Sequence, residues 1–562
     1  MGPMRLTGVA WLLPLLFLAC CLSAPGVVLP ALGPVYSTPT ATAIVTPAAS
    51  PEVTITPPAT ATAVLPSTPT PASASAAPAV PLAATQNPRH AATPTAVLPG
   101  RQPYAEALRP DERRALDPAA HPAWGPVLAG MTTYSLTVVL APDLSRVDGT
   151  ARIRYTNRTE TPLAAIYLHL YPNQWNVGIT VSRVEVAGRP VAPAFESGRS
   201  FLKVPLAMPL MPGAAAELTI DYGCPIPLGR GAGNYGEFAL DRGNLALAHS
   251  YPSLVVYDTA WRLDKQAPLG DVTFLDASLY DVSLTAPADL VLAATGATID
   301  RRLNDDGSAT WRIAGGPMRD FTIIASANYE VMSGTVGDVR VNSNFDKGDE
   351  DGGRKVLGWA MAALSSFERQ FGPYPYRQLN MASMPTAAGG IEYPGLAAVA
   401  SRLYRSPTEV LYFESVAVHE VAHQWWYNVV GNDQINHPWL DEALSQYSIY
   451  LYVLDTYGKD EARGFVDVVK NLRWGSIGFR GKPIGLPAGA YSGVEYGAII
   501  YGRGPLFFLA LRERLGEAKM ATFLRRYYTE NSWRIATPAE FRKLAEEVAG
   551  QDLGDLFKQW VD

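Results

Sequence analysis

Cysteine is nearly missing from this chain: 562 residues hold 3, namely Cys20, Cys21 and Cys224. Two of them fall in the N-terminal leader, so the folded part has no internal disulfide to lean on. If the protein is exported, its stability has to come from core packing rather than from bridges. Basic charge is not in excess either: 46 Lys and Arg stand against 52 Asp and Glu, a net of −6, with no basic stripe. That excludes nucleic acid as a charge-driven partner. Long apolar runs are missing as well. The longest, Val9 to Leu22, is too short for a comfortable transmembrane helix. What the chain does have is 48% hydrophobic residues and 12 tryptophans, the composition of a well-packed globular protein. Its length exceeds one ordinary core, so two or more domains are expected.

Residues 1–24 place Arg5 ahead of the Val9–Leu22 run and read as a secretory signal. Within it, Phe17-Leu18-Ala19-Cys20 resembles a bacterial lipobox, with the adjacent Cys21 leaving the register open. The expectation is therefore export, either by plain secretion or with a lipid anchor on Cys20. That anchor is the one contact with membrane the sequence suggests, and the leader looks bacterial. Residues 25–103 are rich in Pro, Thr and Ala, as in Ser37-Thr38-Pro39-Thr40-Ala41-Thr42, and read as a disordered linker acting as a passive tether.

From 104 to 345 the pattern is β-rich. Short alternating runs such as Tyr134–Leu140, Ala151–Tyr155, Ile166–Tyr171 and Glu217–Tyr222 predict an antiparallel sheet or sandwich. His169 sits in such a run and reads as structural. From 346 to 562 the periodicity turns helical, beginning with an amphipathic helix over Lys355–Phe371 that ends near Gly372-Pro373.

The informative stretch is Val418-His419-Glu420-Val421-Ala422-His423. Two histidines four apart on a helix project from one face and can share one Zn²⁺ at about 2.0–2.1 Å. Glu420 lies between them, where it can take a proton from an activated water. A catalytic zinc needs a third protein ligand and one open position, and Glu442 in Trp439-Leu440-Asp441-Glu442 is the candidate. Pro407 and Gly431 bound an apolar stretch that reads as one helix over Thr408–Val430, and a second helix opens at Asp441. Trp425, Trp426 and Trp439 read as core residues and His437 as a loop residue. Gly389-Gly390-Ile391-Glu392-Tyr393-Pro394-Gly395 suggests the edge strand of a cleft, though on its own it reads more simply as a turn.

These motifs together resemble the gluzincin aminopeptidases, the family of aminopeptidase N and the leukotriene hydrolase. His419-Glu420-x-x-His423 followed after eighteen residues by Glu442 looks like the family zinc signature. Gly389-Gly390-Ile391-Glu392-Tyr393 looks like its Gly-x-Met-Glu-Asn motif, with Ile391 and Tyr393 in place of Met and Asn. Tyr496, Tyr501 and Gly502-Arg503-Gly504 look like its paired tyrosines and following turn, with Arg503 keeping a positive charge. The resemblance spans roughly residues 131–562. It implies a multidomain α+β fold in which an N-terminal antiparallel β saddle or sandwich precedes a mainly helical, thermolysin-like zinc metallopeptidase domain.

The resemblance further implies that His419, His423 and Glu442 bind one Zn²⁺ and that Glu420 is general base and acid. Tyr501 would stabilise the oxyanion, and Glu392 with Gly389 and Gly390 would bind the substrate. The partners are then peptides with a free N-terminus, cleaved by a zinc-activated water. A chain ending at Asp562 reads as a short form without the C-terminal helical domain of many relatives, hence with a more open cleft. A thermolysin-like endopeptidase and a catalytically idle surface scaffold are the rival readings. No residue of the β-rich half is nominated for the amine site, and oligomeric state is not assigned.

Overall fold

The computed structural model describes residues 130–562 except 230–234, 266–268, 272 and 407–409, and also the backbone of Thr95–Val97. The leader with Cys20 and Cys21, most of the stretch read as linker, and Pro407 lie outside the described residues.

The β-rich half is built on an eight-stranded sheet. Thr133–Leu140 shows why: Tyr134, Leu136, Val138 and Leu140 are buried and the residues between them face outward. The strand order is Ala297–Leu303, Ser308–Met318, Ser278–Pro287, Thr133–Leu140, Arg146–Thr156, Ala215–Pro225, Thr180–Val186, Arg189–Pro190. One pairing departs from the antiparallel expectation. Ser278–Pro287 runs parallel to Thr133–Leu140, because these strands are distant in sequence and no hairpin forces them antiparallel. Two four-stranded antiparallel sheets complete this half. Their Leu168, Val204 and Leu245 share a core with Ile153, Val282 and Trp311 of the large sheet. His169 is buried and stacks on Tyr171 at 4.6 Å, as befits a structural residue.

The second half combines a mixed sheet with helices. Its strands are β1 (Tyr329–Val336), β2 (Val339–Asp346), β3 (Gln378–Met384), β4 (Gly390–Tyr393) and β5 (Leu396–Ala400). The order is β1-β2-β3-β5-β4, with β2, β3 and β5 mutually parallel and β4 antiparallel at the edge. Thr95–Val97, inside the stretch read as linker, pairs with β1 at the other edge. Residues 389–395 are thus an edge strand followed by a tight turn at Gly395 (φ +68°) rather than a plain turn. Helix α1 (Glu350–Gln370) starts earlier than the periodicity predicts and buries Val356, Leu357, Ala360, Leu364 and Phe367 against β1, β2 and the next helix.

That next helix, α2, covers Val410–Ala422 and not the whole of Thr408–Val430. The chain leaves the helix as the motif ends, with Tyr427 at φ +128°. The carbonyls released there find a donor far away in sequence. The buried guanidinium of Arg319 donates to the carbonyls of Tyr427 and Val429, and also to those of Leu275 and Arg534. Gly431 is needed beside it, since a Cβ there would lie 2.0 Å from Arg319 Cζ. Trp425, Trp426 and Trp439 are buried core residues as expected.

Candidate metal centre

Helix α2 carries His419, and His423 follows one turn later, its N–H still donating to the His419 carbonyl. Glu442 opens α3 (Glu442–Thr456), where the Asp441 carboxylate accepts from the Glu442 N–H at 2.7 Å. Three donor atoms converge. Glu442 Oε2 is 3.0 Å from His419 Nε2 and 3.5 Å from His423 Nε2, and the two Nε2 atoms are 3.0 Å apart. Donors held tetrahedrally about 2.0–2.1 Å from one ion stand about 3.3 Å from each other. The triangle therefore has the size of a zinc site.

The surrounding groups fix this geometry. The Nδ1–H of His423 donates to the Trp426 carbonyl at 2.9 Å, which leaves the Nε2 lone pair facing Glu442. Charge makes the same point as distance. Against the cost of burial, the two imidazoles hold Glu442 well below the usual carboxylate range. Burial pushes His419 down to about 4, while Glu392, Glu442 and Glu420 raise His423 against its own burial. Burial, with Glu442 next, raises Asp441 to about 7. A cavity this acidic with two imidazole nitrogens and a carboxylate converging is suited to a divalent cation, and the donor set fits Zn²⁺.

Glu420 is buried, its Oε2 without a hydrogen-bond partner among the described residues. Burial first, then the charge of Glu392, raises its carboxyl well above the ordinary range, with His423 opposing. It lies directly against β4: a Cβ on Gly390 would come 2.4 Å from Glu420 Oε1. Gly390 thereby makes room for Glu420, and Gly389 serves strand pairing through its carbonyl to Ala400 N–H at 2.9 Å. Glu392 sits two residues further along β4. One donor atom each from Glu392, Glu420 and His423 lies within 4.8 Å of the others. Its Oε1 accepts from Gln434 Nε2 at 3.3 Å, and burial pushes its carboxyl up to about 8. Gln424, just after the motif, receives the Gly395 N–H at 2.7 Å and donates to the Tyr393 carbonyl at 3.0 Å. One glutamine thus ties the turn of β4 to the end of α2.

Tyr501 lies in a π-helical segment, Ile499–Arg503, and its hydroxyl donates to Glu442 Oε1. Its ring is 5.8 Å from that of His419. Tyr496 packs 5.9 Å from Tyr501, its hydroxyl filling the space beside Gly270. Arg503 turns away from the cleft and donates to the carbonyls of Lys482 and Gln559. The residues named from the sequence for zinc, proton transfer and substrate come together, namely Gly389, Gly390, Glu392, His419, Glu420, His423, Glu442 and Tyr501, while Arg503 and the half-buried loop residue His437 stand apart from them. Reading the sequence missed several cleft residues, Glu237, Asp271, Asp320 and Arg473, and Gln434, which holds Glu392. None belongs to a spaced motif, so no local signal marks them.

The arrangement is that of a His-Glu-x-x-His helix completed by a glutamate from the following helix, with a donor set that fits Zn²⁺. Residues 356–560 match the peptidase family M1 domain. Aminopeptidase M1-B of Oryza sativa subsp. japonica is 26% identical over 235 residues, 40% of this chain and 26% of the rice protein. Aminopeptidase M1 of Arabidopsis thaliana is 23% identical over 302 residues, 50% of this chain and 34% of that protein. The chain thus spans about a quarter to a third of the length of these curated relatives. An M1 zinc metallopeptidase from Deinococcus radiodurans is similar in fold, with a TM-score of 0.57 and 20% identity over 77% of this chain and 93% of that one. A mutant of it, bound to a Tyr-Ser-Ala substrate, matches equally well, covering 77% of this chain and 94% of that one.

Proposed function

We propose that this protein is an exported zinc-dependent aminopeptidase that removes N-terminal residues from peptides. The observation that carries the reading is Glu392, a buried carboxylate within 4.8 Å of Glu420 and His423 that accepts from Gln434 and has no lysine or arginine partner among the described residues. A carboxylate so placed beside the reacting centre favours substrates that bring an ammonium, because an internal peptide segment leaves it unpaired.

Zinc bound by His419, His423 and Glu442 supplies Lewis acidity, polarising a carbonyl and acidifying a water. Glu420, with its raised proton affinity and its free Oε2, accepts a proton from the attacking water and returns it to the leaving amine. The Tyr501 hydroxyl donates to Glu442 Oε1 without substrate, and with substrate bound it gives that one O–H instead to the oxygen where negative charge develops. Glu392, steadied by Gln434, orients the free amine so that the first peptide bond lies at the donors. Peptide recognition by an M1 fold is supported by the tripeptide complex of the Deinococcus radiodurans mutant. Export, as a secreted or Cys20-anchored enzyme, rests on the leader and tether sequences alone.

The test is hydrolysis of amino-acid anilides by the purified chain before and after chelation. Cleavage lost with the chelator and regained with Zn²⁺ is expected. Cleavage indifferent to chelation contradicts the reading.

A further inference from the structure

Beside Glu392 the cleft carries three more carboxylates that the chemistry above leaves unused: Glu237, Asp271 and Asp320. All three are supplied by the β-rich half. Asp320 is fully buried; its Oδ2 accepts from the Tyr427 hydroxyl and its Oδ1 has no partner among the described residues. Asp271 keeps its Oδ2 out of solvent, again with no partner. Glu237 is buried, accepts from the Tyr393 hydroxyl at 3.2 Å and lies 3.6 Å from His249 Nε2. Among the described lining residues the one Lys or Arg is Arg473, and it stands over the Tyr501 ring, 5.5 Å from its centroid.

Four carboxylates therefore border a space into which a peptide terminus brings a single ammonium. Buried carboxylate oxygens without donors are costly, and they persist where a ligand supplies the missing donors. A second metal ion is a poorer occupant. The groups of described residues close enough to share an ion both contain His423, and neither includes Glu237, Asp271 or Asp320. Carboxylates that line one cleft without forming an ion-sized cluster suit an elongated cation with two charged ends.

We propose that the cleft selects substrates whose first residue carries a second positive charge, a lysine- or arginine-type side chain received by Asp271, Asp320 and Glu237 while Glu392 takes the terminal amine. This rests on the aminopeptidase reading and narrows its substrate class.

The test is calorimetric titration of the full-length, zinc-loaded Glu420→Gln chain with lysine amide and norleucine amide. The two ligands have the same carbon skeleton and differ in the distal ammonium. Lysine amide should bind on the order of tenfold or more tightly, the lower end of what a close charge pair contributes at an interface. Asp271→Asn and Asp320→Asn should each narrow that ratio. Equal affinity for the two amides overturns the proposal and leaves the aminopeptidase reading standing. A ratio unchanged in both variants overturns the assignment to these carboxylates. Binding of neither amide, with N-acetylated lysine amide bound instead, removes the aminopeptidase reading and the proposal together. The comparison in the parent chain does not depend on how either variant folds.

Discussion

His423 donates from Nδ1 to the carbonyl of Trp426, three residues on, at 2.9 Å. This bond forms because the chain breaks out of its helix immediately after the motif. The same break exposes carbonyls that the guanidinium of Arg319 collects. Metal-ligand orientation and the join between the two halves of the protein are therefore one structural event.

Arg319 should accordingly matter to stability as much as any core residue. Arg319→Met leaves the Tyr427 and Leu275 carbonyls without their donor, while those of Val429 and Arg534 keep the N–H groups of Trp533 and Gly431, and each buried unsatisfied group costs about 1–3 kcal/mol. We expect a loss of about 3 kcal/mol or more in urea unfolding. Gly431→Ala, which drives a Cβ into the guanidinium, should act in the same direction. A midpoint unchanged in both variants would remove Arg319 from this role.

Glu420→Gln should lower kcat by about 10²–10⁴-fold, the usual worth of a positioned general base. Zinc content should be unchanged, since Glu420 is not among the three converging donors. Metal analysis of the purified variant separates the two roles: loss of zinc would make Glu420 a structural group.

Tyr501→Phe removes the phenol that donates to Glu442. We expect kcat to fall by about 10²–10³-fold with KM little changed, as for other donors aimed at a developing oxyanion. An unaltered kcat would take Tyr501 out of the reaction.

His169 gives a pH signature away from the cleft. Burial, with the nearby His249 adding to it, lowers its pKa from 6.5 to about 3. The unfolded chain then binds the extra proton first as pH falls below 6.5. The stability contributed by neutral His169 is present above that pH and is lost progressively down to about pH 3, by at most about 1.4 kcal/mol per pH unit. His169→Phe, which keeps the stack on Tyr171, should flatten that slope by one proton in urea titrations between pH 4 and 6. An identical slope would contradict the assignment.

How much of this was legible in the sequence follows from how local each feature is. His419, Glu420 and His423 are three positions on one helix turn, so spacing alone specifies their common face. Glu442 and Tyr501 were reachable through spacing and family resemblance, because the elements that carry them are themselves helical. The end of α2 was not legible: it depends on Arg319, 108 residues before Tyr427, accepting the role of a cap. The parallel pairing of Ser278–Pro287 with Thr133–Leu140 is equally non-local. Strand character at Gly390–Tyr393 was masked by two glycines, and Gly390 is there to clear Glu420. Asp271 and Asp320 reach the cleft by sheet topology, and nothing in their neighbouring residues marks them.

The most direct measurement of the central claim is the kcat/KM ratio of leucine anilide to N-acetyl-leucine anilide, in the parent chain and in Glu392→Ala. A cleft that reads the free amine through Glu392 predicts a ratio of about 10²-fold or more in the parent, the range in which a buried polar group rejects an analogue lacking its partner. The variant should bring that ratio close to unity through slower cleavage of the free-amine substrate. Equal cleavage of both substrates by the parent would contradict the account and make the site that of an endopeptidase.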